Sequence, residues 1–130
     1  MQMPGEAILI VDDNAANLKL ARVLLQQEGY AVRTAVDAED ALKLLATFTP
    51  RLILMDIQLP GMDGLELTRR LKADDATKDI VILALTAYAM KGDEEKARAA
   101  GCDGYIAKPI DIDSLPTVIA QHLASPRLSS

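Results

Sequence analysis

Along the chain, short runs of consecutive apolar residues alternate with longer stretches in which apolar residues recur every three or four positions. Ala7-Ile8-Leu9-Ile10-Val11 has no polar interruption and reads as a strand buried on both faces. From Asn14 to Gln27 the spacing turns helical, with Leu18, Ala21 and Leu25 on one side and Gly29 as the stop. Tyr30 to Ala35 interleaves Val32 with Arg33 and Thr34, which predicts a strand with one wetter face near a sheet edge. Asp37 is placed to cap a helix carrying Ala41, Leu42 and Leu45, and Asp40 falls in its first turn, where the helix dipole favours an acid.

The second half repeats the rhythm. Arg51 to Met55 predicts a strand, and "GLELTRRLKA" a helix with Leu67 and Leu71 one turn apart. "DIVILAL" (Asp79 to Leu85) is the most apolar strand. "MKGDEEKARAAG" predicts an alanine-rich helix with Glu94 and Arg98 paired four apart and Gly101 as its stop. "GYIA" (Gly104 to Ala107) is a short final strand, and "DIDSLPTVIAQHL" a last helix whose Pro116 is tolerated because it falls in the first turn. Five strands alternating with five helices imply a parallel sheet covered on both faces, and right-handed crossovers make it a doubly wound α/β fold.

Composition narrows the classes. At 130 residues the chain fits one domain, expected over residues 6–124 with short tails at 1–5 and 125–130. Half the residues are hydrophobic but only 3% aromatic, so Leu, Ile, Val, Ala and Met must build the core. A net charge of −5 argues against nucleic acid or an acidic membrane as a partner held by phosphate attraction. Cys102, the sole cysteine, cannot form an internal disulfide, which suits a reducing compartment. Neither a leader pattern nor a bilayer-length apolar run is evident, so a soluble, cytoplasmic domain is expected.

In open α/β sheets, ligands bind beyond the carboxyl ends of the strands, where the strand order reverses. The first predicted strand ends in Asp12-Asp13, the third in Asp56, the fourth in Thr86-Ala87 and the fifth in Lys108-Pro109. Each residue has an ordinary reading: the acids and Thr86 as turn or cap residues, Lys108 as a solvated loop residue, Pro109 as a strand terminator. Those readings leave unexplained why acids, hydroxyl and ammonium coincide at one end, and no such set is expected at the other. Two carboxylates about 4 Å apart repel by roughly 4 kcal/mol at an effective dielectric near 20. An all-oxygen acidic site suits a hard cation, Mg²⁺ first and Mn²⁺ second, which relieves that repulsion and can bridge to phosphate oxygens. Lys108 can meet a phosphoryl oxygen as a point charge, Thr86 can donate to another, and Asp56 is left as the nucleophile that forms an acyl phosphate.

The segments "ILIVDDN", "LILMDIQLPGMDG", "ALTAYAMKGD" and "AAGCDGYIAKPI", in this order and spacing, resemble the response-regulator receiver domains of two-component signalling from Ile8 to Leu123. The resemblance implies a flavodoxin-like sheet of order 2-1-3-4-5, a topology the general rule for doubly wound sheets illustrates with the chemotaxis member of this same family. It implies Asp56 as phosphoacceptor. Asp13, Asp56 and the backbone carbonyl of Gln58 would be metal ligands, with Asp12 reaching the metal largely through water. Thr86 would be the switch hydroxyl, next to Ala87, and Lys108 the phosphate-pairing lysine. Pro109 would follow a cis peptide, and Tyr105 would be the aromatic switch. Gln58 and Tyr88, two residues beyond Asp56 and Thr86, would tune the lifetime of the aspartyl phosphate. Implied partners are a sensor histidine kinase or histidine phosphotransfer protein as donor, and a target protein that reads the fourth helix, fifth strand and fifth helix. No DNA-binding or catalytic output domain is expected.

Two other classes use similar parts. A phosphohydrolase with an aspartate nucleophile, of the haloacid-dehalogenase type, wants an Asp-x-Asp pair after the first strand, which "VDDNAAN" does not provide. A flavodoxin-like mononucleotide binder wants Gly, Ser and Thr in that loop, where this chain has two acids. Arg51, where many relatives of the receiver carry an acid, lies far from the expected site. Cys102 reads as a small packing residue and His122 as a surface residue, with no second histidine to pair with.

Overall fold

The computed structural model describes residues 6–57, 59, 61–86, 91–107, 110–111 and 113–124, with the side chains of 91–94 and 124 excepted. Its strands are β1 (Ala7–Val11), β2 (Ala31–Ala35), β3 (Leu52–Asp56), β4 (Val81–Thr86) and β5 (Gly104–Ala107). Its helices are α1 (Ala15–Gln27), α2 (Ala38–Leu45), α3 (Gly64–Ala73), α4 (Lys91–Ala100) and α5 (Leu115–Ala124). All pairings are parallel, in the order β2-β1-β3-β4-β5, so the expected doubly wound sheet is observed.

Alternation along each strand sorts the core into two layers. Leu9, Val11, Ile53, Met55, Ile82 and Ala84 point to one face, where they meet residues of α2, α3 and α4. Ile8, Ile10, Leu52, Leu54, Leu83 and Leu85 point to the other, against Leu18, Ala21 and Leu25 of α1 and Leu115 and Ile119 of α5. The continuous apolar runs thus mark strands sealed on both sides. β2 is the edge strand with the wetter face: Arg33 is exposed, and its guanidinium sits 4.9 Å from the centroid of the Phe48 ring.

Asp37 is the helix cap the sequence announces, whereas Asn14, read as the first residue of the helical stretch, stands just outside α1 as its cap. Asn14 caps α1 by accepting from the Asn17 N–H, and Asp37 caps α2 by accepting from the Asp40 N–H. In α2 the inward stripe is Ala38, Ala41 and partly buried Leu45, three and seven residues on from the first. Leu42, expected in that stripe, is instead 37% exposed, because one further residue turns it about 100° away from Ala41. Pro116 is the second residue of α5, where a missing N–H costs little. Met90 lies outside the described residues, as does the Glu94 side chain and so the expected Glu94–Arg98 pair.

Three strands start later than the apolar pattern suggests, β2 at Ala31 and not Tyr30, and for two of them the shift matters. β3 runs from Leu52 to Asp56 and β4 from Val81 to Thr86, one and two residues later at the start than the apolar pattern suggests. Arg51 and Ile80 belong to the connections, where the Val81 N–H donates to the Arg51 carbonyl and the Ile80 N–H closes a turn onto Thr77. At the other end the ladder runs on through polar residues, pairing Asp56 with Leu85 and Thr86 with Ala107. The acid and the hydroxyl are therefore held by strand backbone and not by loops.

The amino-terminal edge of the sheet, expected to lack a polar set, has one. Lys72 Nζ donates to the carbonyls of Lys78 (3.2 Å) and Ile80 (2.7 Å) and to Asp103 Oδ2 (2.9 Å), which also accepts from the Ile82 N–H. An ammonium has three donors and all three are used, so this cluster is a strut tying α3 to the starts of β4 and β5. The sequence conceals it because its charged members stand 31 residues apart. Lys72→Met keeps the stem and removes the charge. Urea unfolding should show a loss of about 2 kcal/mol, the scale of hydrogen bonds to a charged group, with the rate of labelling by acetyl phosphate unchanged.

Nearby, Cys102 is buried as expected, with Sγ 3.9 Å from Thr68 Oγ1, and burial pushes its thiol pKa up. Arg51 pairs with Glu6 at 3.3 Å. His122 departs from expectation: it is half-buried, its ring lying over Gly104, where a Cβ would come within 2.9 Å of Cε1. A glycine in β5 leaves the hollow that the imidazole fills.

Candidate functional site

The reversal of strand order between β1 and β3 opens a crevice at the carboxyl edge, and the acids of the sequence meet there. One carboxylate oxygen from each of Asp12, Asp13 and Asp56 lies within 4.8 Å of the others. Asp12 is fully buried, Asp56 is 3% exposed, and Asp13 stands exposed at the rim. Asp12 follows β1 directly. Its N–H donates to the Ala35 carbonyl, Oδ1 accepts from the Asn14 N–H at 2.9 Å, and Oδ2 accepts from the Asn17 side-chain amide at 3.4 Å.

Asp56 is the last residue of β3, and the ladder continues past it as the Ile57 N–H donates to the Leu85 carbonyl at 3.1 Å. The chain then turns through Gly61 (φ 76°) to Asp63, which caps α3 by accepting from the Glu66 N–H. Gly64 opens that helix pressed against the end of β3. An ideal Cβ there would lie 2.8 Å from the Ile57 Cα and still closer to the Asp56 carbonyl oxygen.

Thr86 ends β4, fully buried, and pairs with Ala107 of β5. Tyr105 pairs with Ala84, so Thr86 and Tyr105 lie on the same face of adjacent strands. Tyr105 is half-buried and packs on the core layer beneath α4. Beside it a cleft of about 230 Å³ runs between β5 and the start of α5, with Tyr105, Ala107, Asp111 and Leu115 in its walls. Gln58, Ala87, Tyr88, Lys108 and Pro109 lie outside the described residues, as do the carbonyl ligand, the lifetime-tuning pair, the phosphate-pairing amine and the cis peptide expected of them.

The structure thus brings together Asp12, Asp13 and Asp56, with Thr86 and Tyr105 on the neighbouring strands. Sequence reasoning passed over two residues at this edge. Gly64 passes as the first residue of the helix "GLELTRRLKA", and Asn17 looks like one more polar position on α1. Its place three residues after an N-cap was the available signal.

The donors of the acid cluster are all oxygen and carry three formal negative charges, which matches a hard divalent cation. The residues that would serve a softer ion are elsewhere: Cys102 borders the strut at the opposite edge, and His122 packs on Gly104. Among the described residues, no helix is long and apolar enough to cross a membrane.

Known proteins carry the same design. The model of the response regulator receiver domain matches residues 8–120. The polar-differentiation response regulator DivK of Brucella anthropi is 45% identical over 118 residues, covering 91% of this chain and 96% of its own length. The DivK of Brucella ovis is 44% identical over the same span. A CheY-like receiver domain protein from Methanospirillum hungatei JF-1 superposes with a TM-score of 0.84 at 33% identity, over 92% of this chain and 94% of that one. The receiver domain of the sensor histidine kinase PA1611 of Pseudomonas aeruginosa PAO1 gives 0.85 at 34% identity, over 93% and 99% of the two chains, and holds magnesium in its active-site cleft. Sheet order, acid cluster and family match converge: the chain belongs to the response-regulator receiver domains of two-component signalling.

Proposed function

We propose that this receiver accepts a phosphoryl group on Asp56 from a phosphohistidine of a kinase or phosphotransfer protein, in the cytoplasm, and that residues 6–124 form the working unit. The observation that carries this reading is the meeting of three carboxylates within 4.8 Å at the carboxyl edge, one of them ending a strand beside Thr86. Asp12, Asp13 and Asp56, with the Gln58 carbonyl, would hold Mg²⁺, as the cleft of the PA1611 receiver does. Bound there, the cation offsets the clustered charge and draws electron density from the phosphoryl oxygens.

An Asp56 carboxylate oxygen attacks phosphorus, forming an O–P bond as the N–P bond of the donor breaks. The electron pair stays on the leaving imidazole nitrogen. Lys108 pairs with a phosphoryl oxygen, and the Thr86 hydroxyl donates to another. The modified side chain gains close to two negative charges and strong acceptor oxygens. Thr86 is drawn to them, and Tyr105, on the same face, repacks into the space released. A partner that prefers one arrangement of α4, β5 and α5 then shifts the population, and the cleft between β5 and α5 is where its contacts would fall. Gln58 and Tyr88, two residues beyond Asp56 and Thr86, would tune the lifetime of the acyl phosphate.

A receiver catalyses its own phosphorylation and slow dephosphorylation, whereas a phosphohydrolase cycles at enzyme-like rates. With Mg²⁺ and acetyl phosphate the protein should take up one base-labile phosphoryl group per chain, and with p-nitrophenyl phosphate any phenolate beyond one equivalent should appear no faster than the acyl phosphate hydrolyses. Sustained turnover of the ester at enzyme-like rates would overturn the reading in favour of the phosphohydrolase.

A further inference from the structure

The start of α1 departs from the usual capping box, in which the third helical residue reaches back to the N–H of the cap residue. Half of the box is present: the Asn14 side chain accepts from the Asn17 N–H at 3.0 Å. The other half is diverted to Asp12. The Asn14 N–H goes to Asp12 Oδ1 at 2.9 Å, and the Asn17 amide reaches past the cap to Asp12 Oδ2 at 3.4 Å. Both oxygens of a fully buried carboxylate are therefore gripped by donors from a single helical turn.

The residue type fits that task. The third position of a capping box usually carries Glu or Gln. A glutamate here would bring a fourth carboxylate toward the cluster of Asp12, Asp13 and Asp56 and would offer no proton to Asp12. Asn17 supplies a donor without adding charge, and its backbone is anchored in a helix of 13 residues. Side chains that hydrogen-bond a ligand carboxylate set its orientation, and their loss commonly weakens metal binding by about 10–100-fold.

We propose that Asn17 is a positioning residue for the acid pocket, holding the Asp12 carboxylate in the orientation from which it serves a divalent cation. The inference rests on the Mg²⁺ reading of the site and names the side chain that prepares it. Asn17→Ala removes the amide but keeps the N–H that Asn14 caps, and alanine is a strong helix former. Helix and fold remain while the Asn17 contact to Oδ2 is lost.

Calorimetric titration with MgCl₂, set beside thermal melting in a chelator, tests this on the intact chain. Asn17→Ala should bind Mg²⁺ about tenfold more weakly than the parent while melting within a few degrees of it without metal. Asn17→Gln, which keeps an amide donor on a longer arm, should recover most of the affinity. A purely structural asparagine would do the reverse, lowering the melting temperature and leaving the affinity alone. The proposal is overturned if the parent binds Mg²⁺ and Asn17→Ala binds it within about twofold, or if glutamine is no better than alanine. A parent that binds no Mg²⁺ overturns the metal reading itself, and this inference with it.

Discussion

Gly64→Ala should slow labelling of Asp56 by about 10–100-fold, the cost of displacing a reacting group by an ångström or less. The reason is space, since Gly64 has no positive φ to protect. A Cβ at this position meets the Asp56 carbonyl oxygen, the Ile57 Cα at 2.8 Å and the Asp56 carbonyl carbon at 2.9 Å, all backbone atoms with no rotamer to yield. Either α3 must back away or the end of β3 must bend, and the bending atoms belong to Asp56, the proposed phosphoacceptor, and its neighbour Ile57. Overpacking of this kind costs about 1–3 kcal/mol, against which the better helix propensity of alanine returns at most about 1 kcal/mol. Urea unfolding and the initial rate of acetyl phosphate labelling report the two effects separately. A variant as stable as the parent and labelled at the parent rate would show that α3 and β3 have slack between them.

Asp56→Asn should make the metal-free protein more stable, although it removes the proposed phosphoacceptor. Asp12 and Asp56 are both buried, with oxygens within 4.8 Å, a separation at which two unit charges repel by roughly 3.5 kcal/mol at an effective dielectric of 20. Contacts elsewhere in the site and solvent at the exposed rim reduce that ceiling, so a gain on the order of 2 kcal/mol in chelator is expected. The same charge is what a dication exploits. Saturating Mg²⁺ should therefore raise the parent's stability by about 2.7 kcal/mol at a hundred times its dissociation constant, and should do much less for Asp56→Asn. Thermal melting with and without Mg²⁺ checks both halves. If the substitution destabilises the metal-free protein, the carboxylates are not in unfavourable proximity and the case for a cation weakens.

Much of this arrangement can be read from the residues. Continuous runs such as Leu52-Ile53-Leu54-Met55 have no polar side to expose, so they announce strands covered twice, and the observed layers bear this out. Asp37 announces a helix start because its side chain satisfies an amide proton that a helix leaves over. The acid cluster followed from one rule, that ligands gather where strands end. Features that depend on how separate elements approach one another were not legible. Lys72 and Asp103 give no signal in the sequence, because only the fold brings the α3 ammonium over the start of β5. Leu42 reads as core until the turn of α2 is fixed against the sheet. His122 reads as surface until the hollow at Gly104 is seen. Gly64 reads only as the first residue of a helix, because a pattern of residue types cannot show that the helix touches the backbone of a strand.

Capture of phosphorus by Asp56 with the help of a divalent cation, as proposed, is read out by intact-mass measurement after incubation with acetyl phosphate. The parent with Mg²⁺ should gain the mass of one phosphoryl group, lose it in mild base, and gain none in excess chelator, while Asp56→Asn should gain none in any condition. An adduct that persists in Asp56→Asn, or that forms equally well without a divalent cation, would contradict the account.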